Sequence, residues 1–314
     1  MLRRIRYGIL VVTFSVLTAG PINIVLRSLL KPISALLPDM FSNKFPVVGD
    51  VHVDLPGARP LVLKSKGGDT IASRMYWKGL RGHEPETISI FRDLLSDTRV
   101  VFDVGASTGL FSLIAGADGE AREVHAFEPV PKTCRYLVRN IAANGLQNIN
   151  TVQACVSNFD GEQTLYLNKS PALPLTTSTM EGYRETSESI IAPAVKLDTY
   201  VAENHIQSVD LIKIDAEGSD DKVLEGAASV LEKYKPFVIC EVLYDHTDKL
   251  IQGILDGTGY RYFFIKNDGL VECKEIVGDP EWKFRNYLFI HGDRWPRGIV
   301  RELIDRSSEM VTKS

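Results

Sequence analysis

From Val100 onward the chain repeats one unit, a short and nearly unbroken apolar run followed by a stretch with helical spacing. Val100–Asp103, Glu123–Phe127, Thr151–Val156, Val209–Asp215 and Phe237–Val242 read as strands. Gly109–Ala117, Lys132–Asn144, Leu197–Asn204 and Asp220–Tyr234 read as the helices between them. Strands apolar on both faces belong in a parallel sheet with helices packed on each side. Tyr260–Ile265 and Tyr287–His291 follow without a convincing helix between them, so they close the sheet as a hairpin. The expected fold is a doubly wound α/β domain of seven strands, parallel except for an antiparallel edge. With 314 residues, 44% of them hydrophobic, the chain can bury one large core or two modest ones.

Ahead of this domain, Val51–Pro56 and Leu61–Lys64 read as a hairpin. Glu84–Leu95 reads as a helix with Ile88, Phe91, Leu94 and Leu95 on one stripe. Residues 45–99 are thus expected as an extension packed on the core, 100–296 as the main domain and 297–314 as a tail. An insert, Gly161–Lys196, breaks the βα rhythm with two strand-like runs flanking a long polar loop. Such a loop either covers a site or is a surface excursion, and both readings stay open.

Residues 1–44 differ in kind. Tyr7–Leu26 is a run of twenty uncharged residues between Arg3, Arg4 and Arg6 on one side and Arg27 and Lys31 on the other. Roughly 20 apolar residues span a bilayer. However, Gly20-Pro21 breaks the run, and Thr13, Ser15, Thr18 and Asn23 dilute it. A span would also place the large domain across the membrane from a cytosolic cofactor. Two short apolar helices, about Leu2–Ala19 and Ile22–Leu36, lying on a membrane face or packed on the domain, fit better. The expected location is cytoplasmic, with membrane contact through residues 2–36 left open.

A net charge of -4 supplies no basic field, which argues against nucleic acid as a partner. Cys134, Cys155, Cys240 and Cys273 are far apart and read as reduced thiols. The six histidines show no metal spacing, and His83 beside Glu84 is the one that stands out. Met75, Tyr76 and Trp77 read as a cap packed on the sheet edge.

The stretch VVFDVGASTGLFSL, Val100–Leu113, is where ligand chemistry concentrates. In an open parallel sheet the turn after the first strand lies at the ligand crevice. Gly105 permits a sharp turn there, and Gly109 removes a Cβ between helix, strand and ligand. The word Asp103-Val104-Gly105-Ala106-Ser107-Thr108-Gly109 lacks the glycines two apart that admit a pyrophosphate. Glu128 ends the next strand, nineteen residues after Gly109, where a carboxylate can accept both hydroxyls of a ribose. A nucleoside without a pyrophosphate is implied.

These residues resemble the class I S-adenosylmethionine-dependent methyltransferases. Further stretches resemble the FkbM methyltransferase family: YWKGLRGHEPET, HAFEPVPKTCRYLVRNIAANGL, QACVSNFDGEQTLYLN, VKLDTY and DLIKIDAEGSDDKVLEGA. The likeness runs from about Tyr76 to Ile290 and does not reach the run before Phe45. It implies a Rossmann-like sheet and S-adenosylmethionine as cofactor. Asp103, Gly105 and Gly109 would hold the methionine end, with Ala106 and Thr108 in the same loop, and Glu128 with Pro129 the ribose. Cys155-Val156-Ser157 would border the adenine, Glu84 would reach toward the cofactor, and Asp215 would join the set.

Moving an activated methyl requires a nucleophile held in line and a group to take its proton. KIDAEG places Lys213, Asp215 and Glu217 on alternate positions and so on one wall of the cleft if the strand continues. Asp215 or Glu217 can accept a proton directly, Lys213 only if burial lowers its pKa. The same acids also read as helix N-terminal groups with Lys213 as ion-pair partner. Asp215, Glu217 and Glu241 could converge as hard ligands for magnesium, with His246 assisting, but no compact spacing marks a cage and no metal is assigned. The resemblance implies O-methylation of a small-molecule or glycan acceptor, a hydroxyl on a sugar, glycan or secondary metabolite. An NAD(P)-dependent oxidoreductase and a non-catalytic nucleoside-binding scaffold are the alternatives.

Overall fold

The computed structural model describes residues 20–36, 45–118, 122–168, 177–178, 186–267 and 269–294. The expected helix Leu2–Ala19, the centre of the insert and the tail 297–314 lie outside them. The described part opens with α1 (Gly20–Leu30) and a 3-10 turn, Lys31–Leu36, where one apolar helix was expected over Ile22–Leu36. An antiparallel hairpin follows, β1 (Val48–Val53) and β2 (Leu61–Lys66), then α2 (Thr70–Lys78) and α3 (Pro85–Leu95). Helix α2 was not foreseen. It starts where Asp69 Oδ1 accepts from the Ala72 amide at 3.0 Å, an N-cap worth about 1 kcal/mol.

The main sheet takes β3 (Val100–Val104), α4 (Leu110–Ala117), β4 (Glu123–Phe127), α5 (Pro131–Ala143) and β5 (Ile149–Val152) in succession. The run Thr151–Val156, read as one strand, is two. After β5 the chain turns, and β6 (Cys155–Val156) leaves the main sheet to pair in parallel with Ala194 and Val195. With β7 (Gly161–Asn168), β8 (Thr177–Ser178) and β9 (Thr186–Val195) it builds a small sheet of order β6-β9-β7-β8 from the insert. The insert is therefore a hairpin paired to the end of the preceding strand and not a mere excursion.

Helix α6 (Leu197–Glu203) returns the chain to β10 (Leu211–Ile214), beside β3. The single helix expected over Asp220–Tyr234 is broken into α7 (Asp220–Glu225) and α8 (Ala228–Tyr234). At the break, a Cβ on Gly226 would stand 2.0 Å from the Ser157 carbonyl oxygen, so helix and β6 turn touch through bare backbone. Then come β11 (Phe237–Glu241), α9 (Asp248–Leu255), which the sequence reading passed over, β12 (Tyr260–Lys266), β13 (Gly269–Cys273) and β14 (Asn286–His291).

The sheet order is β13-β12-β14-β11-β10-β3-β4-β5. Strands β5, β4, β3, β10 and β11 are parallel, and β14 runs antiparallel to both β11 and β12. The doubly wound sheet and its antiparallel edge are as expected, with β13 as an eighth strand beyond the seven. Side chains alternate across the sheet. Val101, Leu211 and Ile239 join the core shared with the hairpin, α2 and α3, whereas Phe102, Ile212 and Val238 face the core under α6–α9. Residues 45–95 therefore complete one face of the sheet. The four cysteines are free thiols. Among the described residues no helix is long and apolar enough to cross a membrane.

Candidate active site

Because β3 leads outward to β4 and β5 before the chain returns to β10 on its other side, the strand order reverses between β3 and β10. Open α/β sheets bind ligands at the carboxyl ends of the strands at such a point. A cleft of about 290 Å³ lies there. Its floor is two abutting turns. A Cβ on Gly105, whose φ is +78°, would fall 2.0 Å from the Asp215 carbonyl oxygen. The bare residue is thus required by the turn after β10. Gly105→Ala is expected to cost about 3 kcal/mol, combining backbone strain with overpacking. Thermal melting checks this, and a loss under about 0.5 kcal/mol, the size of an ordinary surface change, contradicts it.

Glu128 lines the cleft at the end of β4. Its Oε2 accepts from the Ser107 amide at 3.0 Å and its Oε1 from the Val130 amide at 2.8 Å. Each oxygen keeps a lone pair for a further donor. Burial pushes this carboxyl up to about 7, against the pull of the two amides. Ser107 is held at φ +52°, and its buried Oγ has no partner among the described residues. Groups from the β4–β7 side of the cleft are apolar apart from Glu128: Phe127, Pro129, Ala154, Cys155, Val156 and Leu165. Leu165 comes from β7, so the insert does reach the site.

The opposite side is charged. Helix α2 contributes Arg74, the segment before α3 His83 and Glu84, the turn after β10 Asp215 and Glu217, and the loop before β14 Arg285. Glu84 sits at φ +41° and Glu217 at φ +50°, so with Ser107 three strained non-glycine residues line the cleft. Such strain persists where surrounding structure enforces it, commonly at binding sites. Glu84 Oε2 accepts from Asn286 Nδ2 at 3.1 Å. The Arg74 guanidinium stands 3.3 Å from His83 Nδ1. Since arginine can only donate, Nδ1 is the acceptor and Nε2 carries the proton. Burial lowers the His83 pKa, so the imidazole is neutral.

Lys213 does not line the cleft. Strand β10 ends at Ile214, so side-chain alternation carries Lys213 to the face of Asp103, its partner in register, and does not extend to Glu217. Lys213 is 1% exposed, with its ammonium 3.4 Å from Asp215 Oδ2 and 4.9 Å from the Phe111 ring centroid. Burial alone would lower its pKa, but Asp215, Glu84, Asp103 and Glu241 outweigh it and the net direction is up. The amine stays charged, which removes Lys213 as a proton acceptor and leaves it as the counter-ion beneath the site. Burial likewise pushes Asp215 up, yet Lys213, Arg285 and His83 hold it below the ordinary carboxylate range. Asp215 therefore presents an ionised carboxylate to the cleft.

Of the residues expected to touch the cofactor, Glu84, Gly105, Glu128, Pro129, Val156 and Asp215 line the cleft. Asp103, Ala106, Thr108, Gly109 and Ser157 stand behind it, and each has structural work to explain this. Asp103 accepts from Ser112 Oγ at 2.5 Å, and the Ala106 amide donates to Phe127 O at 2.9 Å. Thr108 O accepts from Asn140 Nδ2 at 2.7 Å. A Cβ on Gly109 would meet Leu137 Cδ1 at 2.5 Å, so its bareness serves helix packing and not the ligand. Ser157 donates its amide to Val195 O at 3.0 Å. Glu241 is spent on Arg285, Nη1 to Oε1 2.5 Å. Burial and the neighbouring Asp215 and Asp220 push that carboxyl well up, against the pull of the Arg285 guanidinium. Among the described residues no three His, Cys, Asp or Glu side chains converge as a metal site.

Asp220, which the sequence reading did not single out, is the acid at the start of α7. It is buried and accepts from the Ala216 and Gly218 amides at 2.9 and 3.2 Å, fixing the turn that displays Glu217. Arg74, Ser107 and Arg285 were missed. Arg285 had no local signal beyond a cation placed just ahead of an apolar strand.

This donor set fits S-adenosylmethionine. A carboxylate with two open lone pairs suits a ribose diol, the apolar side an adenine, and the charged side the zwitterionic methionine end, while the unpartnered Ser107 hydroxyl awaits a ligand. Comparison with known proteins agrees. The family described as the methyltransferase FkbM domain matches residues 103–262, half of the chain. The 31-O-demethyl-FK506 methyltransferase FkbM of Streptomyces tacrolimicus is 31% identical over 153 residues, covering 40% of this chain and 58% of that protein. Methyltransferase sdnD of Sordaria araneosa is 29% identical over 155 residues, covering 40% and 59%. The chain thus spans less than two thirds of the length of these curated relatives. Among solved structures, methyltransferase FkbM from Methylobacillus flagellatus is 17% identical with a TM-score of 0.38, covering 62% of this chain and 44% of that one. An S-adenosylmethionine-dependent methyltransferase from Agrobacterium tumefaciens is 11% identical with a TM-score of 0.42, covering 78% and 71%. On the family match and the cleft together, the chain belongs to the FkbM family of methyltransferases, for which family and fold imply S-adenosylmethionine as cofactor.

Proposed function

We propose that this chain methylates an oxygen, a hydroxyl of a sugar, glycan or other metabolite, on the cytosolic side where the cofactor resides. The observation that carries the reading is Glu128, a buried carboxylate aimed into the cleft between an apolar and a charged side. S-adenosylmethionine supplies a methyl already activated by a sulfonium. The chain's task is to bind, orient and deprotonate. Glu128 would take the ribose hydroxyls and Glu84 the amino end. Asp215 would accept the acceptor's hydroxyl hydrogen, aiming an oxygen lone pair at the methyl. An acceptor oxygen that took the methyl would hold its proton far more weakly than any carboxylic acid does. A carboxylate with a depressed pKa is therefore basic enough to take the proton. The choice of oxygen draws support from the O-methylation named in the Streptomyces relative. The oxidoreductase alternative lacks support, because the turn after β3 has no close glycine pair for a pyrophosphate.

Glu128 gives a pH signature to binding. Diol donors favour its ionised form, so the carboxyl, near pKa 7 in the free protein, must shed its proton below that value. Affinity for S-adenosylhomocysteine is expected to be flat above pH 7 and to fall about tenfold per pH unit beneath it. Glu128→Gln should remove this dependence and cost about 3 kcal/mol of binding. Isothermal titration across this range decides. Absence of binding at any pH overturns the cofactor, and pH-independent binding overturns the role of Glu128.

A further inference from the structure

Helix α1 is fastened to the domain by its polar side. Asn23, fully buried, donates from Nδ2 to Pro46 O at 2.7 Å and accepts at Oδ1 from the Val48 amide at 3.0 Å. The Arg27 guanidinium and the Lys31 ammonium lie 5.2 and 4.7 Å from the Tyr76 ring centroid, and Leu26 and Leu30 pack on the core. Two hydrogen bonds of opposite sense from one buried side chain fix the rotation of the helix about its axis. Rolling it would strand a buried amide and two backbone groups without partners.

The side so fixed outward is apolar. Ile22, Ile24, Val25 and Leu29 are 48%, 51%, 59% and 70% exposed, and Ile33 continues the stripe. Pro21 and Ser28 complete this side, and Ser28 Oγ is turned back to donate to Ile24 O at 2.8 Å. No charge stands among them. A helix lying on a domain in water shows the reverse pattern, charges out and apolar residues in. A contiguous apolar face held outward marks an interaction surface.

The chain around α1 selects the occupant. Residues 8–19, immediately ahead, contain no charged side chain. Laid over α1, that segment would hide one apolar face only to offer water another. A lipid surface accepts both. Cations bracket the run, Arg3, Arg4 and Arg6 before it and Arg27 and Lys31 after it. A groove on the β1–β2 hairpin adjoins α1, since Arg27 Nη2 lies 3.6 Å from where a Cβ on Gly49 would stand. That groove carries Lys66, Arg139 and Lys64, the last paired with Asp50. Apolar residues flanked by basic ones match an anionic headgroup layer.

We infer that the α1 face of Ile22, Val25 and Leu29 docks on an anionic lipid leaflet, with the helix lying in the interface and not crossing it. The inference is independent of the methyl acceptor. None of these residues lines the cleft, so substitutions here leave cofactor binding as an internal control of folding.

The test uses the full chain with vesicles of phosphatidylcholine alone and of equal parts phosphatidylcholine and phosphatidylglycerol, and flotation reads the bound fraction. The expected result is binding to the anionic vesicles, weakened by salt, and lowered about tenfold or more in the V25E/L29E variant. Unchanged thermal melting and S-adenosylhomocysteine affinity would show that variant to be folded. Wild-type protein that leaves anionic vesicles unbound overturns the proposal, as does a variant that binds like wild type. Equal binding to both vesicle types overturns the anionic assignment. A lipid-free dimer that V25E/L29E dissolves, seen by light scattering, overturns it in favour of a second copy as the cover.

Discussion

Lys213→Met lowers the unfolding free energy by about 3–5 kcal/mol at neutral pH, the cost of removing one partner from a buried charge cluster. The ammonium is sealed under the cleft and is the counter-ion shared by Asp103, Asp215, Glu84 and Glu241. Methionine keeps much of the volume and its contact with Phe111, so the loss reports charge rather than a cavity. The pH dependence follows from the shifts. Lys213 is raised, so its own contribution is complete below its unfolded pKa of 10.5 and lost only as pH climbs through a still higher folded value. Asp215 is depressed, so its contribution is present above its unfolded pKa of 3.8 and lost as pH falls through the folded one. The wild-type advantage over the variant is therefore full near neutrality and shrinks in acid, where the carboxylates protonate. Urea unfolding of both proteins at neutral and acid pH checks this. A difference that stays constant, or lies under about 1 kcal/mol as for an exposed pair, removes Lys213 from its assigned place.

The two residues at the centre of this cluster, Lys213 and Asp215, were both singled out in the sequence, but their pairing beneath the cleft belongs to the fold. Strands β3, β4, β10 and β11 could be read because a strand buried on both faces is apolar at successive positions. The same rule misled at Thr151–Val156, where only Gln153 interrupts the apolar residues after Thr151 although the backbone turns between β5 and β6. Helix α7–α8 was read as one because its pattern is, while the break falls at Gly226, where the Ser157 carbonyl, far away in sequence, leaves no room for a Cβ. Glu128 and Gly105 were legible because their chemistry is written into a turn and the next strand end. Lys213 was misjudged because its proton affinity depends on four carboxylates from four elements, and no window of sequence holds them together. Arg285 escaped for the same reason, since it meets Glu241 and the cleft only once β14 has inserted between β11 and β12.

Asp215→Asn is expected to lower kcat by about 10²–10⁴, the range for loss of a positioned proton acceptor, and to leave affinity for S-adenosylhomocysteine nearly unchanged. Asparagine keeps the shape and a hydrogen-bonding oxygen, so an acceptor hydroxyl can still be held, but it cannot take the proton. Glu217→Gln tests the neighbouring carboxylate. Asp215 has its Oδ2 3.4 Å from the buried Lys213 ammonium, while Glu217 lines the same cleft from a left-handed turn. Its substitution should cost about tenfold or less, the level of a positioning contact. The chemistry distinguishes the two further, because a carboxylate with a depressed pKa stays active into acid. Single-turnover rates measured from neutral pH downward should hold until Asp215 protonates below the ordinary carboxylate range, once the Glu128-dependent loss of cofactor affinity is saturated out. A rate that instead falls with a midpoint above the carboxylate range points to a histidine, and His83, neutral and close by, would be the group to replace next. If Glu217→Gln proves the more damaging of the two, the proton leaves by Glu217 and Asp215 serves only to fasten Lys213.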